Sequence, residues 1–297
     1  MPLSRRLEFE RRPSALRYMA RALGMRRRLR QGVPFPGIEA SWRGYRAPAR
    51  DVQDFCRLSA LQSGDAMPLL FLHATLFRLQ MTVLTHPAFP LPIWRVLQIR
   101  NRLHWRRPVA LDTRLDLFAS VAGHRYLERG IEVDLAASAR ACDDIVFENL
   151  VTFYMRGRFG RGRTTSPWAG APALDGIEVA RWHQTRAGAL RFGELTGDYN
   201  GLHLWSPYAR LLGFKRAFAH PQRVLAQCLE RISGATLPES KRLDVWLKGP
   251  VYYGAELRLR RQEDADGTRF ALWTAEDERP AIVGRLRDAR SAKSPAD

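Results

Sequence analysis

Two stretches of helical apolar spacing, Phe71 to Leu84 and Phe218 to Ile232, constrain this chain most, because each leads through a short apolar triplet into a proline-marked run of strand-forming residues. The first opens on Phe71-Leu72-His73 and continues to Leu97-Gln98-Ile99 and then Pro108-Val109-Ala110-Leu111. The second opens on Phe218-Ala219-His220 and continues to Leu243-Asp244-Val245 and then Pro250-Val251-Tyr252-Tyr253. His73 precedes Pro108 by 35 residues and His220 precedes Pro250 by 30. Chance can supply one such match, but the shared order predicts a duplicated module. After Pro108, β-rich runs are expected over Arg114–Val121, Tyr126–Leu135 and Ile145–Tyr154; after Pro250, over Glu256–Arg260, Arg269–Thr274 and Ala281–Leu286. Asp266-Gly267 marks a hairpin between two of these. A long helix followed by antiparallel strands predicts an α+β module with the sheet wrapped over the helix. Two such modules can join edge to edge in one continuous sheet.

The break between the halves is Gly157 to Ala173, GRFGRGRTTSPWAGAPA, rich in Gly, Pro and Arg and without apolar periodicity. The expected organisation is a basic extension at 1–35, a first module at 36–156, a linker at 157–173 and a second module at 174–290. A length of 297 residues fits two domains or one fused pair. No apolar run is long enough to span a bilayer, and no apolar segment follows the first basic residues as a secretory signal requires. Cys56, Cys142 and Cys228 are far apart and form no CxxC, which argues against a disulfide framework and a zinc site and fits a reducing cytoplasm.

The formal net charge is +18, almost all of it from Arg, since Lys occurs only at Lys215, Lys241, Lys248 and Lys293. Such a field attracts polyanions in general. No zinc-finger spacing, recognition helix or basic patch interleaved with aromatics accompanies it, so no nucleic-acid partner is expected. Residues 1–30 hold ten Arg against Glu8 and Glu10. Within them Leu16, Met19, Ala20 and Leu23 recur at helical spacing, predicting a short helix packed on the body with a solvated basic face. The run Arg26-Arg27-Arg28-Leu29-Arg30 reads the same way, with substrate phosphates or an acidic carrier protein as the alternative contact.

The segment with chemical content runs from Arg191 to Glu230. Phe192, Leu195 and Thr196 end a short helix, and Gly197-Asp198-Tyr199-Asn200-Gly201 is a run of turn formers. His203 follows, then a second short helix in which Ser206 is the expected N-cap and Pro207 the first residue, ended by Gly213. Pro221 can open the long helix. Taken singly, Asp198 and Asn200 are ordinary turn residues and His203 an ordinary helix-entry histidine.

Jointly they resemble a known signature. Gly197, Asp198, Asn200 and His203 match the GDxNxxH motif of the MaoC-like dehydratases, or (R)-specific enoyl-thioester hydratases. Gly213-Phe214 and Ala219-His220 match the element that follows it. The motif spans about forty residues, and the repeat extends the resemblance over both halves. The resemblance implies a double hot-dog fold with a degenerate first half that supplies a wall for the acyl chain. Counting back from His73 at the spacings of the second half reaches Asp51 and Cys56, a carboxylate without its histidine, so one active site per chain is expected.

The implied reaction is reversible hydration of a trans-2-enoyl thioester, carried by CoA or an acyl carrier protein. One group must take a proton from water and one must deliver a proton to C2. A carboxylate and an imidazole holding the same water can do both. The resemblance assigns that water to Asp198 and His203, with Asn200 orienting one of them or bracing the turn, and it implies neither a metal nor a redox cofactor. His220 is expected to cap or pack first and to meet substrate second, His73 to be a packed remnant, and Cys228 an inert buried thiol.

One position departs from the family. Gly usually follows the His of the second element, and its N–H serves the thioester oxygen; here Pro221 stands there and has no N–H. The Gln222 N–H is the nearest substitute. Losing one oxyanion donor costs on the order of 3 kcal/mol, about a hundredfold in rate. A non-catalytic acyl-thioester-binding protein on the same fold is therefore the alternative expectation. A monomeric double hot-dog and a homodimer both remain open.

Overall fold

A computed structural model of the chain describes residues 5–25, 29, 35–159, 165–166, 170–233, 240–265 and 267–289. The N-terminal segment contributes β1 (Arg5–Phe9) and α1 (Ala15–Leu23). The first module follows as β2 (Ile38–Tyr45), α2 (Ala49–Ser59), α3 (Phe71–Leu84), β3 (Leu97–Trp105), β4 (Leu115–Leu127), β5 (Gly130–Ala141) and β6 (Asp144–Arg156). The second is β7 (Ile177–His183), α4 (Ala189–Thr196), α5 (Gly201–Leu204), α6 (Ser206–Leu211), α7 (Pro221–Ser233), β8 (Lys241–Leu247), β9 (Glu256–Asp264), β10 (Gly267–Thr274) and β11 (Ile282–Asp288). Among the described residues no helix is long and apolar enough to cross a membrane.

All eleven strands form one sheet in the order β1-β2-β4-β5-β6-β3-β8-β11-β10-β9-β7. From its outer edge to the seam the first module reads β2-β4-β5-β6-β3, and the second reads β7-β9-β10-β11-β8. The two orders are the same once each module is numbered from its own first strand, which is the structural form of the duplication. The seam is the antiparallel pair β3–β8, from Arg100 opposite Trp246 to Trp105 opposite Lys241. Every residue of α3 is buried, the polar His73, Arg78 and Gln80 included.

On the other face of the seam, Asp244 is 3% exposed among four guanidinium groups. Arg102 and Arg287 lie at 3.2 and 3.0 Å, and Arg242 and Arg100 at 3.3 and 3.7 Å. Burial alone raises the Asp244 pKa, but Arg242, Arg102, Arg287 and Arg100 outweigh it and hold the carboxyl below its usual range. Arg100 also stacks on Trp246 and Arg260 on Trp273, so the sheet does interleave cations with aromatic rings, a pattern that linear sequence conceals.

The strand expectations hold with one split. The run Tyr126–Leu135 is a hairpin rather than one strand, because Leu127 pairs with Gly130 across Glu128-Arg129. Its two loop residues carry no turn signal of their own, and Gly130, which closes the turn, is the mark that the strand reading passed over. The β9–β10 hairpin is present, with Asp266 outside the described residues. So are Arg26–Arg28, Arg30 and parts of the 157–173 linker. Helix α1 forms where expected but presents another face: Ala15, Tyr18 and Ala22 are buried, whereas Leu16 and Leu23 are 84% and 87% exposed. The Tyr18 ring goes inward because its hydroxyl finds a buried acceptor, described below. Ser206 is not an N-cap but the first residue of α6, and its hydroxyl accepts the Ala217 N–H at 3.1 Å.

The repeat also aligns differently at its upstream end. The isolated bridges Ala66↔Ala110 and Phe218↔Tyr252, with Met67 N–H donating to Val109 O and Ala219 N–H to Val251 O, are one feature present twice. They match Pro108 with Pro250 as expected, but they match Pro68, not His73, with His220. His73 is the third residue of α3, whereas His220 precedes α7. Asp51 and Cys56 therefore lose the positions that counting back from His73 gave them. Both lie within α2, where Asp51 pairs with Arg12 and Arg191.

His73 is fully buried, its Nδ1 lying 3.1 Å from the Asn149 amide nitrogen, while Asn149 Oδ1 accepts from Gln80 Nε2 at 3.0 Å. Burial pushes its imidazole down to about 4 from 6.5. Between those values the unfolded chain binds a proton that the native state does not, so stability is full above pH 6.5 and is lost as pH falls toward 4. By pH 5 this one group should cost about 2 kcal/mol. His73→Gln keeps an amide for Asn149 and cannot titrate. Urea midpoints at pH 7 and 5 should show the variant losing about 2 kcal/mol less than wild type over that interval. Equal losses would place the acid sensitivity elsewhere.

Candidate active site

Helix α4 ends at Gly197, whose φ of 80° is left-handed and whose N–H donates to Gly193 O at 2.7 Å. The turn that follows is fixed bond by bond. The Thr196 hydroxyl donates to Phe192 O and accepts the Asp198 N–H. Asp198 Oδ1 accepts the Asn200 N–H at 3.2 Å, and Asn200 Oδ1 accepts the Leu202 N–H at 3.1 Å, making Asn200 the N-cap of α5. Asn200 thus braces the turn, one of the two roles expected of it.

His203 sits on α5 and is 5% exposed, and Asp198 is 8% exposed. His203 Nδ1 lies 3.0 Å from Phe218 O, a carbonyl that can only accept, so Nδ1 carries the hydrogen. In the neutral form of the ring Nε2 is then the lone-pair nitrogen, and it faces Asp198 Oδ2 at 3.6 Å. The backbone of α5 is clamped on both sides: Phe218 N–H donates to Leu202 O, and the Tyr253 hydroxyl donates to His203 O.

His220 stacks on the His203 ring with centroids 4.2 Å apart, and its Nε2 lies 3.0 Å from the Asp198 carbonyl. Burial, with the neighbouring His203 as a lesser cause, holds its pKa well below the usual histidine value, so His220 is a neutral donor that pins the backbone of the turn.

Beneath Gly197 lie two residues that no sequence pattern marks. The buried Tyr18 of α1 donates its hydroxyl to Gly197 O at 2.5 Å. Arg78 of α3 is 4% exposed, and its guanidinium donates to the Glu194 and Pro13 carbonyls. The turn that carries Asp198 is therefore held by residues more than a hundred positions away.

Asp198, Asn200, Gly201 and His203 open onto one cavity of about 210 Å³. Its walls are largely apolar: Phe77 and Met81 from α3, Phe153 from β6, then Ile93, Trp94, Val96 and Leu97, and Met19, Ala22 and Leu23 from α1. The first module thus does wall the site, as expected, and the N-terminal helix joins it. A larger groove of about 750 Å³ lies across β1 to β6 and reaches Arg242 of β8, and it contains none of the motif residues.

No protein-family model matches the chain. The 3-hydroxyacyl-thioester dehydratase X of Mycobacterium tuberculosis (strain ATCC 25618 / H37Rv) is 25% identical over 238 residues, which is 80% of this chain and 84% of that protein. The crystal structure of HtdX from Mycobacterium tuberculosis has a TM-score of 0.72 at 22% identity, covering 84% of this chain and 99% of that one. A MaoC-like dehydratase from Phytophthora capsici gives 0.68 at 17% identity, covering 87% of this chain and 97% of the other. The chain has the double hot-dog fold of the MaoC-like dehydratases.

Asp198, His203 and His220 each bring a ligand-capable atom within 4.8 Å of the others. Their geometry does not suit a metal ion. Histidine lone pairs lie in the ring plane, and the two rings are stacked with only 31° between planes, so they do not converge on one ion. The departure from the resembled motif is also visible. Pro221 lines the cavity as the first residue of α7 and brings no donor. The Gln222 N–H forms no hydrogen bond among the described residues, but Gln222 does not line the cavity. The Gly201 N–H likewise forms none, and Gly201 does line it, a donor that sequence reading overlooked. Cys228 is buried within α7, and burial pushes its thiol up to about 12.

Proposed function

We propose that this chain hydrates a trans-2-enoyl thioester reversibly to the 3-hydroxyacyl thioester, acting as a hydro-lyase with Asp198 and His203 as the reacting pair. The observation that carries this is one carboxylate oxygen and one imidazole lone pair, 3.6 Å apart and buried, at the wall of an apolar cavity. A water accepted between them is polarised from both sides. As its oxygen bonds to C3, its proton passes to the pair, and the pair returns a proton to C2, so one water is added and both residues end as they began. Dehydration is the same path reversed.

The charge that develops on the thioester oxygen needs donors. With Pro221 contributing none and Gln222 not lining the cavity, the free N–H of Gly201 takes that role. His220 holds the turn and Gly197 shapes it. The thiol carrier is CoA or an acyl carrier protein; the chain acts in the cytoplasm, as one double hot-dog or a pair. The organisation into a 1–35 extension, a 36–156 module, a 157–173 linker and a 174–290 module is part of the same reading.

The test is loss of the conjugated enoyl absorbance on mixing the full chain with trans-2-enoyl-CoA substrates. Turnover is the expected result. A folded protein that binds acyl-CoA without hydrating any enoyl-CoA would favour the second reading, a non-catalytic acyl-thioester-binding protein, for which Pro221 is the supporting observation. Turnover gained in Pro221→Gly would then trace the loss to the oxyanion donor.

A further inference from the structure

The cavity that holds Asp198 and His203 has an apolar rim in contact with solvent. Leu23 at the end of α1, Trp94 in the short 3-10 turn Ile93–Arg95, and Leu97 at the start of β3 all line it, yet they are 87%, 36% and 45% exposed. Single exposed apolar residues are common on protein surfaces, but three on one edge, continuous with an apolar cavity, are not scattered. Behind them the wall continues through Met19, Phe77, Met81 and Phe153. The lip is fixed in place, because Tyr18 anchors α1 to Gly197 and Ala22 is buried.

Resting on the hydratase reading, we propose that this rim carries the outer part of a long acyl chain: the substrates are long-chain acyl thioesters whose tails overrun the cavity and lie across Leu23, Trp94 and Leu97. A hydrocarbon needs apolar surface and no hydrogen-bond partners, which is what the rim presents. The thiol arm of CoA or of a carrier protein carries two amides and needs donors and acceptors. Among the described residues only Gln98 offers any at the rim, and the other polar lining residues outside the reacting pair, Asn200 and Tyr208, belong to α5 and α6. A second copy of this chain is the competing occupant.

The experiment measures the affinity of butyryl-, octanoyl-, dodecanoyl- and palmitoyl-CoA for the full chain and for Leu23→Asp/Leu97→Asp, below the micelle threshold, together with the solution mass of each protein. Both positions are exposed, so the fold should survive, and circular dichroism checks this. Wild-type affinity is expected to climb through palmitoyl. The variant should lose about tenfold or more on palmitoyl, the equivalent of uncovering roughly two methylenes, and nothing on butyryl. Equal loss at every length would make the rim the thiol side. No loss, or a wild-type optimum at butyryl, would remove the tail from the rim. A change in mass without a length effect would assign it to a second copy. Each of these overturns the inference. The readout is binding, so long-chain affinity without turnover would sink the hydratase reading and leave the rim standing, whereas no binding at any length would sink both.

Discussion

Asp198→Asn and His203→Ala are each expected to lower turnover of an enoyl thioester by about a thousandfold, and the double variant by little more than the worse single one. General acid–base groups contribute roughly 10²–10⁴ in rate. Asn at 198 can still accept the Asn200 N–H at the Oδ1 position, so the turn survives while the carboxylate facing His203 is lost. Ala at 203 removes the lone pair but leaves the α5 clamps at Leu202 and the His203 carbonyl, which are backbone bonds. If the two side chains hold one water, either loss disables the same step, and the second adds nothing to the first. Single-turnover rates with melting curves alongside decide the matter. Losses that multiply in the double variant would mean that the residues act on different steps. Turnover near wild type in Asp198→Asn would remove the carboxylate from the reaction.

The motif was readable because it is local. Gly197 to His203 is seven consecutive residues in which Asp198 and Asn200 each accept the backbone N–H two residues on, so the spacing in sequence is the geometry in space. The duplication was readable for another reason: helix and strand patterns persist along the chain, and the strand order then repeats in the sheet. What the sequence could not carry is pairing at a distance. The offset of His73 from His220 shows the limit. A Phe-x-His start looks alike in both halves, but the β-bridges that set the true alignment join residues some 35 to 45 positions apart, and no local pattern encodes them.

The same limit explains α1. Its apolar residues fall on two faces, and helical spacing alone favoured Leu16 and Leu23 as the buried set. The structure instead buries Tyr18, because its hydroxyl meets the Gly197 carbonyl, 179 positions away. A basic N-terminal segment thus becomes part of the site in two ways. Tyr18 supports the turn beneath Asp198, while Met19, Ala22 and Leu23 extend the cavity wall. The strong Arg bias of the chain shows up less as a ligand-binding field than as internal ion pairing: Asp244 within its four guanidiniums, and Arg191 spanning Asp51, Asp54 and Glu194 between α2 and α4.

Gly197→Ala should cost about 4 kcal/mol of stability and at least a hundredfold in turnover, the larger part by collision rather than by backbone strain. A Cβ at 197 would fall on the Tyr18 hydroxyl and lie 2.9 Å from Arg78 Cγ, and both neighbours are buried. The left-handed φ of 80° adds roughly 1 kcal/mol for any L-residue. Overpacking a buried contact costs about 1–3 kcal/mol, and displacing Tyr18 leaves the Gly197 carbonyl without its donor, on the order of 1 kcal/mol more. The turn must then shift, and a displacement near 1 Å at a reacting group costs about 10² in rate. Gly213 is the internal control: its φ is 89° and nothing lies within 4 Å of the added carbon, so Gly213→Ala should show the roughly 1 kcal/mol of strain alone. Adding Tyr18→Phe to Gly197→Ala removes the oxygen that the new methyl strikes, and it should recover part of both stability and rate. Denaturant midpoints and kcat for the four proteins separate the terms. Equal costs at 197 and 213, or no relief from Tyr18→Phe, would mean that α1 does not press on the turn in solution, and the support assigned to the N-terminal segment would fall with it.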